Sequence, residues 1–386
     1  MKMTQIHELV NAATQEVLGE STVLNEDLSN LVDVGKTIVN TDNLDSYVKK
    51  LVNHIGKVVF VNRIYAGGVP SVLMDSWECG SILETVSTEM PDATESDSWK
   101  LTHGEDYSPD VFYQPTVSAK FFNSRVTFEI PLSFTERQVK ESFSNVNQLN
   151  GFLSMLTTSV ENSMTVKLDS LIMRTMNNMT GEVLAHGLGG GGSIDTTATS
   201  VQAVNLLKLY NDAYGTTLAA DAAIKDPDFI RYATYQVGLY ADRMSRISTL
   251  FNVGGKERFT PKDMQRIVLL ADFAKASDTF LASTTLNQDK VALPTHETVP
   301  YWQGSGLEYA FDDVSAINVK TSTGAVVEVS GILGVAWDRD ALGVSNLDRR
   351  VTTNYNPKAE FYTNFYKFDA GYYNDLDENY VVFFIG

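Results

Sequence analysis

Only one cysteine, Cys79, stands in 386 residues, so the chain has no intrachain disulfide and no cysteine-based zinc site of the usual kind. Histidine is scarce and scattered: His7, His54, His103, His186 and His296 show no H-x-x-x-H spacing. Positive charge is short as well. Lys and Arg number 30 against 48 Asp and Glu, a formal net charge of -18. This argues against a sequence-independent nucleic-acid binder, which needs clustered cations to neutralise phosphate. No apolar run is long enough to cross a bilayer, and MKMTQIHELVNAATQEV is amphipathic where a secretory leader has an apolar core. The expectation is a soluble protein made in the cytoplasm.

What is present is ordinary globular material, 43% hydrophobic and 20% charged, enough for a sizeable core and roughly two or three domain-sized units. TQIHELVNAATQEVLGE reads as an amphipathic helix stopped at Gly19, and TDNLDSYVKKLVNHIG as a second, with Asp42 as its N-cap. KVVFVNRIYAG is β-rich. CGSILETVSTEM and YQPTVSAKFFNSRVTFEIPLSF read as extended strands on either side of an acidic, turn-rich stretch. That region lacks the apolar residues to build its own core, so it is expected to pack on something else.

Ser133–Glu136 fits a capping box opening the short helix TERQVKESF. The clearest helical pattern follows, with Leu149, Leu153, Leu156, Val160, Met164, Leu168, Leu171 and Met176 on one side. Gly151 is a candidate break in its first turn and Gly181 its expected stop; the helix would be roughly 50 Å long. Beyond it, TSVQAVNLLKLYNDAYG reads as an amphipathic helix and RYATYQVGLYADRMSRIST contains another. MQRIVLLADFAKAS reads as a buried strand leading outward.

Candidate chemistry is thin. Gly189–Gly192 lacks the Lys–Ser/Thr pair and preceding strand of a phosphate loop, and the following Asp195 would oppose phosphate, so a linker is expected. His103, Glu105 and Asp106 sit in a turn-rich stretch with no scaffold to preorganise a metal. Asp272 and Asp278 have no partner His or Lys in view. In GVAWDRDALG, Asp338 and Asp340 would share a face if extended, with Arg339, Arg349 and Arg350 as counter-charges. Paired carboxylates doing acid–base work need unlike environments, and nothing here supplies an apolar pocket around one alone. A charged surface or interface element, holding an ion-pair network within or between subunits, explains the same letters.

The tail carries a different kind of pattern. GILGVAWDRDALGV and VTTNYNPKAEFYTNFYKFDAGYYNDLDENYVVFFIG resemble the end of major capsid proteins of tailed bacteriophages. The matching elements are Asp338, Ala341 and Leu342, then Thr353, Asn356 and Pro357, then Ala370-Gly371-Tyr372, and the strand Val381 to Ile385. The order of elements over nearly the whole chain is similar to the Hong Kong 97-type capsid fold, shared by tailed phages and encapsulins. The resemblance implies an α+β fold with residues 1–50 as an N-terminal arm and 77–132 as an extended hairpin loop. Residues 51–76 and 133–192 would be a peripheral domain with a spine helix over 144–180. Residues 193–335 would be an axial α+β domain, and 336–386 would return strands to the peripheral sheet.

The implied function is a structural subunit assembling with itself into hexamers and pentamers of an icosahedral head around double-stranded DNA. No catalytic residue, cofactor, metal or membrane is implied. Further partners would be a separate scaffolding protein, the portal and decoration proteins, and the DNA without sequence-specific contact. The Lys, Asn and Glu that cross-link some such capsids do not align here, and no long N-terminal scaffolding extension is seen. Expected subunit-interface residues are Trp99, Tyr107, Phe112 and Tyr113 in the core-poor hairpin, with Asp338, Arg339, Arg349 and Arg350. The competing readings are an encapsulin-like shell, a phage tail or neck component, and a hydrolase using Asp338 or Asp272.

Overall fold

The computed structural model of the chain describes residues 3–19, 25, 30, 33–34, 36–37, 46–47, 50, 69–74, 83–91, 93, 95–96, 100–106, 112, 114–135, 137, 146–189, 194–282, 293–303 and 314–386. Six α-helices, besides a 3-10 turn at Pro70–Val72, have their bounds among them. They are α1 (Met3–Leu18), α2 (Val146–Leu188), α3 (Leu206–Tyr214), α4 (Ala220–Ala223), α5 (Pro227–Met244) and α6 (Ala271–Ala282). The strands are β1 (Leu73–Met74), β2 (Leu83–Thr88), β3 (Val117–Phe122), β4 (Arg125–Thr135), β5 (Ala203–Asn205), β6 (Gln265–Leu270) and β7 (Glu297–Val299). They continue with β8 (Ile317–Lys320), β9 (Val326–Val329), β10 (Ile332–Asp338), β11 (Leu342–Asn356), β12 (Phe361–Asn374) and β13 (Tyr380–Phe384). Helix and strand are mixed along the chain, the α+β class expected from the sequence.

The chain divides into two units, one of residues 1–76, 125–173 and 344–371, the other of residues 77–124, 174–343 and 372–386. The first holds a four-stranded sheet in the order β1-β11-β12-β4. The register of β4 and β12 runs unbroken from Phe361↔Thr135 to Gly371↔Arg125. Along β12 from Phe361 to Phe368, Tyr362, Asn364, Tyr366 and Phe368 are buried and the residues between them half-buried, the period-two pattern of a sheet with one covered face. Stacked rings join the strands: Phe128 on Phe368 at 5.0 Å and Phe134 on Tyr362 at 5.7 Å between centroids. α1 ends as expected, Gly19 at φ +100° donating its N–H to the Gln15 carbonyl at 2.9 Å.

The second unit is built on a five-stranded sheet, β5-β13-β10-β6-β7. Its inner strands ILGVAWD, QRIVLL and YVVFF are near-continuous apolar runs because both faces are covered. Packed on this sheet is a core with Leu207, Phe229, Val237, Met244 and Phe273 from the helices and Leu269, Leu333 and Phe383 from the strands. Each such side chain contributes about 1.5–3 kcal/mol by leaving water. Gly334 allows the tight fit of β10 on β6, where an added Cβ would strike Leu269. Asn205 caps α3, its side chain accepting from the Lys208 N–H at 3.0 Å, and Asp226 caps α5 through Asp228 and Phe229.

Several expectations change. α2 is 43 residues long, which at ~1.5 Å per residue is roughly 65 Å, and it runs through both Gly151 and Gly181. Gly181 is a packing position rather than a stop: an added Cβ would strike Val319 of the β8–β9 hairpin. Of the expected stripe, Val160, Met164, Leu168, Leu171 and Met176 are buried, while the side chains of Leu149, Leu153 and Leu156 lie outside the described residues. MQRIVLLADFAKAS is a strand and then a helix, with Phe273, Ala274 and Ser277 buried at helical spacing. Ser133 lies in β4, not in a helix cap, because the alternation persists to Phe134. Ala203–Asn205 is a strand against β13, so the helix expected from Thr199 begins only at Leu206.

The expected hairpin to residue 132 is shorter. β3 ends at Phe122, and beyond Asn123-Ser124 the chain continues as β4 in the other sheet. The final strand also differs from expectation, since β13 lies between β10 and β5 rather than in the four-stranded sheet. Its five residues are all buried and need a sheet covered on both faces. The segments around Asp42, over KVVFVNRIYAG and over most of TERQVKESF lie outside the described residues.

Candidate functional site

Asp338 closes β10 and is only 4% exposed. The chain turns there instead of staying extended. Asp338 Oδ1 accepts from the Asp340 N–H at 3.0 Å, and the Ala341 N–H donates to the Asp338 carbonyl at 2.8 Å. The Arg339 N–H donates to the Met264 carbonyl at 2.9 Å. Burial pushes the Asp338 carboxyl up, against the opposing hydrogen bonds from Asp340 and Thr260 and the charge of Arg339. This aspartate is a turn-forming residue inside its own chain, which corrects its assignment to a subunit surface. Arg339 and Asp340 remain exposed and paired with each other at 3.3 Å. The two aspartates share no face, because the turn separates them, and nothing in this geometry supports a hydrolase.

Arg350 has a different counter-charge from the one expected. Its Nη1 donates to Asp369 Oδ2 at 2.9 Å across β11 and β12, and Thr127 donates to Asp369 Oδ1 at 2.6 Å. The Arg350 guanidinium, with Thr127, holds the Asp369 carboxyl below the usual carboxylate range despite its desolvation. Arg349 is half-buried on the same strand. Asp272 and Asp278 lie on α6, exposed, six positions apart and so on different faces, with Asp278 near Lys275 at 3.7 Å. Asp272 stands in the first turn of this helix and Asp278 about one turn and a half further along. His103, Glu105 and Asp106 are exposed on a turn, and among the described residues no group of three or more His, Cys, Asp or Glu could hold a metal ion. Gly190–Gly192 and the aromatics Trp99, Tyr107 and Tyr113 lie outside the described residues; Phe112 is 85% exposed.

The feature that residue-type reasoning missed is the β2–β3 hairpin face. The strands pair from Leu83↔Phe122 to Thr88↔Val117, and burial alternates along both. The outward residues are Glu84, Val86 and Thr88 opposite Phe121, Ala119 and Val117. Val86, Val117 and Phe121 are exposed, Phe121 at 64%, and Met90 and Leu101 are exposed on the segment between the strands. An apolar face turned to solvent on a two-stranded hairpin is a candidate association surface. The alternation in VSAKFF carried this signal, but periodicity alone does not tell which face is covered.

Known proteins were compared with this chain. No curated protein sequence matches it. Among solved structures, the capsid of Staphylococcus phage Andhra is similar at TM-score 0.49, with 10% identity over 84% of this chain and 86% of that one. The capsid of the cyanophage P-SCSP1u is similar at 0.46, with 9% identity over 85% of this chain and 92% of that one. A family model described as Phi29-like phage major capsid protein matches residues 10–384. On that match, over nearly the whole length, the chain belongs to the Phi29-like phage major capsid protein family, its α+β architecture is a capsid fold, and its role is structural, as a component of the virion.

Proposed function

We propose that copies of this chain assemble into hexamers and pentamers that close into an icosahedral head around double-stranded DNA, with each β2–β3 hairpin laid on a neighbouring copy. The observation that carries this reading is the exposed apolar face of Val86, Val117 and Phe121. Covering it with a second copy would recover the transfer free energy that the monomer forgoes, about 25 cal/mol per Å2 of apolar area. In the Hong Kong 97-type arrangement the first fifty residues are the arm, the hairpin region 77–124 the extended loop and α2 the spine. The sheet of β5, β6, β10 and β13 belongs to the axial part.

We assign Phe112, 85% exposed, to the same contact, and Trp99, Tyr107, Tyr113, Arg339, Arg349 and Arg350 to contacts between copies. The chain has no catalytic part in this reading. It is made in the host cytoplasm and works with a scaffolding protein, a portal and decoration proteins. Its net charge of -18 favours an inner wall that does not adhere to DNA, which is enclosed without sequence-specific contact.

The test is Phe121→Asp, examined by size-exclusion chromatography and negative-stain microscopy, with scaffolding protein supplied where wild type needs it. Wild type gives shells or rings of hexamer and pentamer size, and the variant stays monomeric with an unchanged circular dichroism spectrum. Shells from the variant at the wild-type concentration would refute the proposed contact.

A further inference from the structure

The β2–β3 hairpin is turned inside out relative to strands that pack on a core. Its apolar side chains face outward, and its inner face carries Thr85, Ser87, Ser118 and Lys120, with Leu83 and Phe122 paired at the root. At the root, Phe122 meets Tyr373 with ring centroids 5.1 Å apart. Farther out the contacts are ionic. Lys120 Nζ donates to Asp375 Oδ1 at 2.8 Å and lies 2.6 Å from Asp377 Oδ2, and Lys256 Nζ meets Glu89 Oε1 at 2.8 Å. Beside them lies an open cleft of about 320 Å3, lined by Ser87, Thr88, Ser118, Thr249 and Lys256.

The turn that Lys120 grips is fixed from its other side. The Asp375 N–H donates to the Ala341 carbonyl at 2.7 Å, and the Gly254 N–H to the Leu376 carbonyl at 2.9 Å. Gly254 sits so close that a Cβ there would strike Asp377. Arg258 Nε donates to Glu378 Oε1 at 2.9 Å. The two carboxylates are therefore fixed by their own turn, and the Asp375 side chain is only 3% exposed, with the ammonium of Lys120, 39% exposed, as its counter-charge.

We infer that Lys120 is a positioning residue: by clasping Asp375 and Asp377 it sets the attitude of the hairpin and so presents the outward apolar face to the next copy. What that face meets rests on the assembly proposed above; the clasp does not. Because the lysine is part-exposed, the clasp is screened by salt, whereas an apolar anchor would not be.

Hydrogen exchange of the purified, unassembled chain tests this, read in peptides covering 83–88 and 117–122. In wild type these peptides exchange faster as salt is raised. In Lys120→Met they exchange several-fold faster than wild type at low salt and lose the salt response, while β6 and β10 stay protected. Lys120→Arg, which keeps the positive charge, restores most of the protection, whereas Met keeps most of the bulk without it. Asp377→Asn, which leaves the Asp375 contact in place, falls between. Equal exchange in wild type and Lys120→Met at every salt concentration overturns the clasp. Should Lys120→Met fail to fold, wild-type exchange in Asp377→Asn together with no salt response in wild type overturns it. A loosened hairpin that still forms shells at the wild-type concentration supports the clasp and sinks its role in assembly. An unloosened hairpin without shells sinks the clasp alone.

Discussion

Within the second unit, the five-stranded sheet and the β2–β3 hairpin use similar residues to opposite ends. In the sheet, Val381, Val382, Phe383 and Phe384 are all buried, with helices over the core. In the hairpin, Val86, Val117 and Phe121 point into solvent, and the inner face is anchored by lysine. The sheet draws its stability from its own chain, and the hairpin leaves apolar area in solvent, where the proposed contact would cover it. A structural protein that must fold as a monomer and then associate needs both kinds of surface, and the difference lies in which face is covered rather than in composition.

The sharpest way to break this comparison is to truncate one phenylalanine from each region. Phe383→Ala should lower unfolding free energy by about 3–5 kcal/mol in urea titration, since it opens a cavity in a packed core. Phe121→Ala should change the same monomer transition by less than about 0.5 kcal/mol, like other surface substitutions. Comparable losses would mean that the hairpin face is internal.

A smaller effect is expected at Gly181→Ala. The gain in helix propensity is about 0.5–1 kcal/mol, but the new methyl meets Val319, and overpacking typically costs about 1–3 kcal/mol, so a net loss of stability is expected. A stabilised variant in thermal unfolding would show that the β8–β9 hairpin yields freely.

A pH effect is expected at Glu378. Burial pushes its carboxyl up to about 7, with Arg258 opposing and Asp338 and Asp375 adding to the rise. The folded state therefore holds the proton more tightly than the unfolded chain. This contribution is complete below the ordinary glutamate range and is lost as pH rises through about 7. Glu378→Gln, which keeps the neutral form, should flatten this part of the stability profile between about pH 5 and 8. Identical wild-type and variant profiles in that window would remove Glu378 from the account.

Much of this was legible in local pattern. The helix ending at Gly19, the long helix with Val160, Met164, Leu168 and Leu171 inward, and the aromatic alternation of β12 all follow from periods of 3.6 and 2. The misreadings share one cause. Gly181 looks like a stop by its lack of a side chain, yet that lack is what lets Val319 approach. Asp338 and Asp340 look like a matched pair in extended chain, yet the chain turns between them, because the Asp338 carboxylate accepts the Asp340 N–H. Lys120 looks like one more surface charge, since nothing local points to Asp375, 255 positions along the chain.

By itself the sequence determined most of the places where the chain stiffens into helix or strand, that the protein must bury a large core, and that its acidity leaves little to hold phosphate. These depend on side-chain period and charge, which are local quantities. Only the tertiary structure decided which face of the hairpin meets water, which carboxylates meet Lys120 and which sheet receives Tyr380–Phe384. Those outcomes depend on contacts between distant segments, and a strand pattern reads the same whichever of its two faces the rest of the chain covers.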